Sequence, residues 1–122
     1  VLIVHGLDGL DEITITNKTY VAELKDNSIN EYEISPKDFG LNFGQLSEII
    51  AQSSDDSLQL IREAFSGEKS AVQDMIALNS GAALYLAKVV HSIADGVELS
   101  FELMNNGMAA DKLASYVRVS NS

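Results

Sequence analysis

Residues 4–13 read VHGLDGLDEI and gather Asp8, Asp11 and Glu12 directly behind an apolar run. Neighbouring carboxylates are suited to a hard divalent cation. Magnesium takes oxygen ligands and keeps several of its waters, so one or two carboxylates are enough. Asp11 and Glu12 are the adjacent pair, and in an extended strand they would point to opposite faces. A turn after Gly9 lets both reach one or two ions, directly or through water. The plainer reading is a solvated turn. Two carboxylates about 5 Å apart repel by roughly 3 kcal/mol at an effective dielectric of 20, and about fourfold less in open water. An enclosed loop would therefore call for a cation and an exposed one would not, and the sequence leaves both open. The regular oxygen-bearing alternation and twelfth-position Glu of an EF-hand are not present.

Other side chains are less specific. His5 beside a strand end could serve as a base, but a role in anchoring the backbone near the acidic motif is the simpler expectation. His91 is expected near a helix C-terminus, where the helix dipole favours a cation. Ser80 has no His and Asp at spacings that suggest a hydrolase triad. Met75, Tyr85 and Met104 read as core or interface residues. Asn79 sits in a mostly apolar helix and needs a hydrogen-bond partner there, for which a neighbouring strand or loop is the candidate.

The elements that must position these groups follow from periodicity. Val1–Val4 is a continuous apolar run, expected to be a strand buried on both faces as in a parallel sheet. Ile13 and Ile15 alternate with Thr14 and Thr16, which reads as a further strand. Thr19–Lys25 and Ile29–Ile34 are extended pieces joined at Asp26-Asn27, and short strands with two-residue polar turns form an antiparallel meander. Pro36 ends it. Helices are expected over Gln45–Ala51, after Ser54-Asp55-Asp56 with Gly67 as stop, over Ala71–Val90, from Ser92 to Asn106-Gly107, and over Ala109–Val117 with Leu113, Tyr116 and Val117 presented. Small residues at Asn79-Ser80-Gly81-Ala82-Ala83 let another backbone approach the middle of the long apolar helix.

The 122 residues suit one domain, and the apolar fraction of 46% is ordinary for a globular protein. There is no cysteine, which excludes disulfides, thiolate metal sites and a Cys nucleophile. The net charge of -10, with Lys and Arg scattered singly, argues against nucleic acid and against an anionic membrane surface. An acidic protein still binds an anionic substrate when a divalent cation lies between them. No apolar run is long enough to span a membrane and no signal peptide is recognisable, so a cytoplasmic location is expected. The opening run, without Met, reads as a core strand and suggests part of a longer chain.

The run His5-Gly6-x-Asp8-Gly9-Leu10-Asp11-Glu12 resembles the second metal-binding motif of the anthranilate phosphoribosyltransferase family. Val21-Ala22-Glu23-Leu24, Pro36-Lys37-Asp38-Phe39-Gly40-Leu41 and Leu78-Asn79-Ser80-Gly81-Ala82-Ala83-Leu84-Tyr85 agree with that family in order and spacing. The resemblance extends from residue 1 to about residue 117. It implies an α/β fold: part of a mixed central sheet with antiparallel strands, flanked by C-terminal helices, as in the large domain of phosphoribosyltransferases and nucleoside phosphorylases. Residues 1–122 would be the C-terminal part of that domain, without the family's glycine-rich phosphate loop, its anthranilate-binding arginine and its helical domain. The implied reaction is Mg²⁺-dependent transfer of phosphoribosyl from phosphoribosyl diphosphate to anthranilate, in tryptophan biosynthesis. Asp11 and Glu12 would be the metal ligands, Asp8 a loop or outer-shell residue, and His5 and Gly6 would lie at the substrate. The chain alone would be inactive. The competing expectation is a non-catalytic relative that binds a divalent cation or another ligand. Self-association through exposed sheet edges is a further expectation.

Overall fold

The computed structural model describes residues 1–49 and 53–120, with side chains through residue 115. Three strands come first: β1 (Leu2–Gly6), β2 (Thr19–Lys25) and β3 (Ser28–Ile34). Helices follow: α1 (Leu46–Ile49), α2 (Ser54–Phe65), α3 (Ala71–Leu86), α4 (Ile93–Asn105) and α5 (Met108–Ser120). The sheet is antiparallel in the order β1-β2-β3, and one face packs on the helices. Among the described residues no helix is long and apolar enough to cross a membrane.

The meander is held by local chemistry. Asp26 and Asn27 both take positive φ, 53° and 63°, which is the two-residue turn that matches strand twist. Val21 faces the core with Leu2, Val4 and Ile34 beside it. Ile3 and His5 point to the opposite, exposed face. The expectation that the first strand is buried on both sides as in a parallel sheet is not met among the described residues: β1 pairs with β2 alone, antiparallel, and Ile3 is 64% exposed.

The strand expected at residues 13–16 is also absent. Ile13, Thr14 and Ile15 are all buried, without alternation, and their backbone groups go elsewhere. The Ile13 N–H and C=O bond the Asn79 side chain, the Thr14 N–H bonds Thr19 Oγ1, and the Ile15 C=O accepts from the Gly44 N–H. A segment whose polar groups are spent on three different partners cannot also form a ladder.

Serine caps three of the helices. Ser53, Ser70 and Ser92 accept from the third backbone N–H of α2, α3 and α4. Helix α2 ends as expected with Gly67 at φ 88°. Helix α3 stops at Leu86 rather than Val90, because Lys88 adopts φ 63° and folds the chain back onto the last turn. His91 therefore lies in the α3–α4 connection, directly before the Ser92 cap that opens α4 and not at the C-terminus of α3. Helix α5 runs past Val117 to Ser120; the side chains of Tyr116 and Val117, and residues Ile50 and Ala51 of the first expected helix, lie outside the described residues.

Helices α3 and α4 cross at Gly81 and Gly96. A Cβ added to Gly81 would lie 2.6 Å from the Val97 nitrogen, and one on Gly96 would overlap the Gly81 carbonyl. The small residues noted in the middle of α3 serve this contact. It brings Leu78, Ala82, Val97 and Met104 into the core behind the sheet.

Candidate metal centre

The acidic motif lies in the connection from β1 to β2, residues 7–18. Its base is closed by the Leu7 N–H donating to the Lys18 carbonyl at 2.9 Å. Above the base the chain turns tightly: the Gly6 N–H bonds the Leu10 carbonyl at 2.8 Å and the Gly9 N–H bonds the Gly6 carbonyl at 2.9 Å. Gly9, at φ 95°, supplies the left-handed residue this turn needs.

Asp8 is the internal tie. Its carboxylate accepts from the Thr14 hydroxyl at 2.6 Å, from the Leu10 N–H at 3.1 Å and from the Thr16 hydroxyl. Partial desolvation pushes its pKa up, but bonds from Thr14, Thr16 and the backbone outweigh this and hold it below the usual 3.8. A carboxylate so engaged is committed to the loop. The two threonines escaped sequence reading because alternation in ITIT reads as strand.

Gly6 has its N–H spent within the loop. Its contribution is the absence of a side chain, since a Cβ would lie 2.6 Å from Asp8 Oδ1. The His5 ring is exposed on the open face of β1, opposite Tyr20, and among the described residues no hydrogen bond engages it. The anchoring expected of His5 is carried out by Asp8 and Asn79.

Asp11 and Glu12 follow the turn. Both are exposed, and among the described residues no hydrogen bond or ion pair engages either carboxylate. Glu12 borders a groove of about 290 Å³ that it shares with Ile49 of α1 and with Met75, Asn79 and Ser80 of α3. The next residue, Ile13, is fixed to α3: its N–H donates to Asn79 Oδ1 at 2.9 Å and its carbonyl accepts from Asn79 Nδ2 at 2.8 Å. The partner that Asn79 required is thus the loop itself.

This donor set fits magnesium of one kind. Two unengaged carboxylates supply oxygen ligands, but among the described residues no three acidic or histidine side chains gather. A cation here would be only partly coordinated by protein, leaving room for water and for the oxygens of a charged ligand.

The three-stranded antiparallel sheet is thus backed by crossing helices, with the acidic loop at one end. Residues 1–110 match the glycosyl transferase family, a/b domain, and the chain belongs to that family. Its relatives narrow the class. The chain is 44% identical over 120 residues to the anthranilate phosphoribosyltransferase of Vesicomyosocius okutanii, covering 98% of this chain and 35% of the relative. It is 46% identical over 117 residues to that of Halorhodospira halophila, covering 96% and 34%. Among solved structures, the anthranilate phosphoribosyltransferase of Thermus thermophilus superposes with a TM-score of 0.87 at 30% identity, over 99% of this chain and 36% of that one. The Saccharomyces cerevisiae enzyme in complex with PRPP and Mg shares the fold, with a TM-score of 0.82 at 24% identity over 99% and 35%. The chain spans about a third of the length of these relatives.

Proposed function

We propose that this chain is the C-terminal part of the α/β domain of an anthranilate phosphoribosyltransferase, and that its acidic loop holds Mg²⁺ against phosphoribosyl diphosphate. The observation that carries this reading is the contrast among three neighbouring acids. Asp8 is bonded inward, while Asp11 and Glu12 are presented outward and, among the described residues, unengaged on a loop tied at both ends.

Magnesium, when bound, neutralises charge on the departing diphosphate. The chain's own residues prepare for this. Asp11 and Glu12 are the metal ligands. Asp8 bends the loop so that both carboxylates follow one turn. Gly6 lets Asp8 fold back over the strand end, and His5 and Gly6, at the loop base, are read as lying beside the substrate. The phosphate loop and the anthranilate-binding residues come from outside this chain, in a protein of the relatives' length. The 122 residues alone would then show no turnover. A cytoplasmic location belongs to the same reading. So does self-association through the free edges of β1 and β3, which light scattering would read.

A stand-alone cation-binding module is the weaker reading, since two carboxylates are a poor cage without a ligand's phosphates. The test is formation of phosphoribosylanthranilate by the full-length protein carrying Asp11→Asn or Glu12→Gln. Loss of at least about tenfold in activity, with a raised requirement for Mg²⁺, is expected. Unchanged activity and Mg²⁺ dependence in both variants would overturn the reading.

A further inference from the structure

We infer that Asn79 of α3 is a positioning residue for the metal pair: it sets where Glu12 and Asp11 stand by gripping the backbone of Ile13. This rests on the reading of Asp11 and Glu12 as magnesium ligands. The Asn79 amide carries one acceptor and two donors in a single plane. It accepts from the Ile13 N–H at 2.9 Å and donates to the Ile13 carbonyl at 2.8 Å, in the manner of a neighbouring strand. Its nitrogen also donates to the Met75 carbonyl at 3.0 Å, one turn back in α3, which fixes the amide before it meets the loop.

The consequence for Glu12 follows from peptide geometry. The Ile13 N–H belongs to the planar unit shared with Glu12, so fixing that N–H also fixes the Glu12 Cα and carbonyl. Ile13 itself is buried in the core at 2% exposure, which prevents the grip from sliding. On the other side, Asp8 and the Gly6–Leu10 turn fix the approach. Asp11 and Glu12 are left as the outward residues between two clamps.

No other short side chain reproduces this. Ala leaves both Ile13 groups unpaired. Asp keeps the acceptor for the N–H but offers the Ile13 carbonyl no donor. Residues that orient metal ligands from behind commonly change metal affinity by about ten- to a hundredfold when removed.

The experiment uses the full-length protein and Mn²⁺ as probe, with binding read by electron paramagnetic resonance in the presence of inorganic diphosphate. Asn79→Ala and Asn79→Asp are compared with Val97→Ala, which removes core volume on α4 without touching the loop. Both Asn79 variants are expected to weaken Mn²⁺ binding about tenfold and to deprotect the Ile13 amide to hydrogen exchange, while Val97→Ala leaves Mn²⁺ binding unchanged. Should Asn79→Ala not fold, Asn79→Asp carries the comparison. If the Asn79 variants lose thermal stability as Val97→Ala does and bind Mn²⁺ like the wild type, the inference is overturned. Failure of the underlying reading is distinct: Asp11→Asn and Glu12→Gln would then leave Mn²⁺ binding intact.

Discussion

Gly81 and Gly96 face one another where α3 crosses α4, so closely that a Cβ on Gly96 would overlap the Gly81 carbonyl. The obstacle is backbone on both sides, which no rotamer change relieves. Gly81→Ala or Gly96→Ala is therefore expected to push the helices apart and destabilise the protein by about 1–3 kcal/mol. A Tm within a degree of wild type for either variant would contradict this packing.

Lys88 occupies the position that Gly67 occupies at the end of α2. In both places the chain closes the helix with two returning bonds: Gly67 N–H to Ala64 and Glu68 N–H to Glu63, then Lys88 N–H to Tyr85 and Val89 N–H to Leu84. Only Gly takes the left-handed conformation without cost, and Lys88 is held at φ 63°. Lys88→Gly is expected to stabilise by about 0.5–1 kcal/mol, the gain being reduced by the greater freedom of Gly in the unfolded chain. Thermal denaturation checks the sign.

Asp8 gives the loop an acid limit. Its folded pKa lies below the ordinary 3.8, so its bonds to Thr14, Thr16 and Leu10 contribute fully above that value. The contribution is lost as pH falls through the folded pKa. Asp8→Asn is expected to cost about 1–2 kcal/mol at neutral pH. The gap between variant and wild type should narrow below pH 3.8, as acid unfolding curves would record.

A tyrosine cluster gives an alkaline limit. Glu23 of β2 accepts from Tyr32 at 3.0 Å and also from Tyr85 of α3. Desolvation, then the bond to Glu23, pushes Tyr32 up to about 12 from 10.0. A raised tyrosine pKa means stability that is present below pH 10 and is lost as pH climbs toward 12. Absorbance near 295 nm should show Tyr32 ionising late, and Tyr32→Phe should blunt the alkaline loss. Ionisation of Tyr32 near pH 10 in the folded protein would contradict the arrangement.

Much of this fold was legible in the sequence because the signals were local. Asp26-Asn27 named its turn, Ser92 marked a helix start while the cap expected at Ser54 falls one residue earlier at Ser53, and Gly67 and Gly107 marked stops. The misreadings share a cause. Ile13–Thr16 alternates as a strand does, yet Asn79, 66 residues away, takes the backbone of Ile13. Val1–Val4 is apolar enough for a central strand, but nothing within four residues tells an edge from an interior. Lys88 ends α3 in a conformation its type does not advertise. At the site, the acids themselves were visible. Their division of labour was not, because it depends on hydroxyls of Thr14 and Thr16 reaching back to Asp8.

Helix α3 holds the loop through Asn79 and meets α4 through Gly81, only two residues further on. So short a span of rigid rod unfolds locally as one piece. Amides on both sides of that rod, Ile13 and Val97 among them, should open to solvent as one cooperative unit rather than separately.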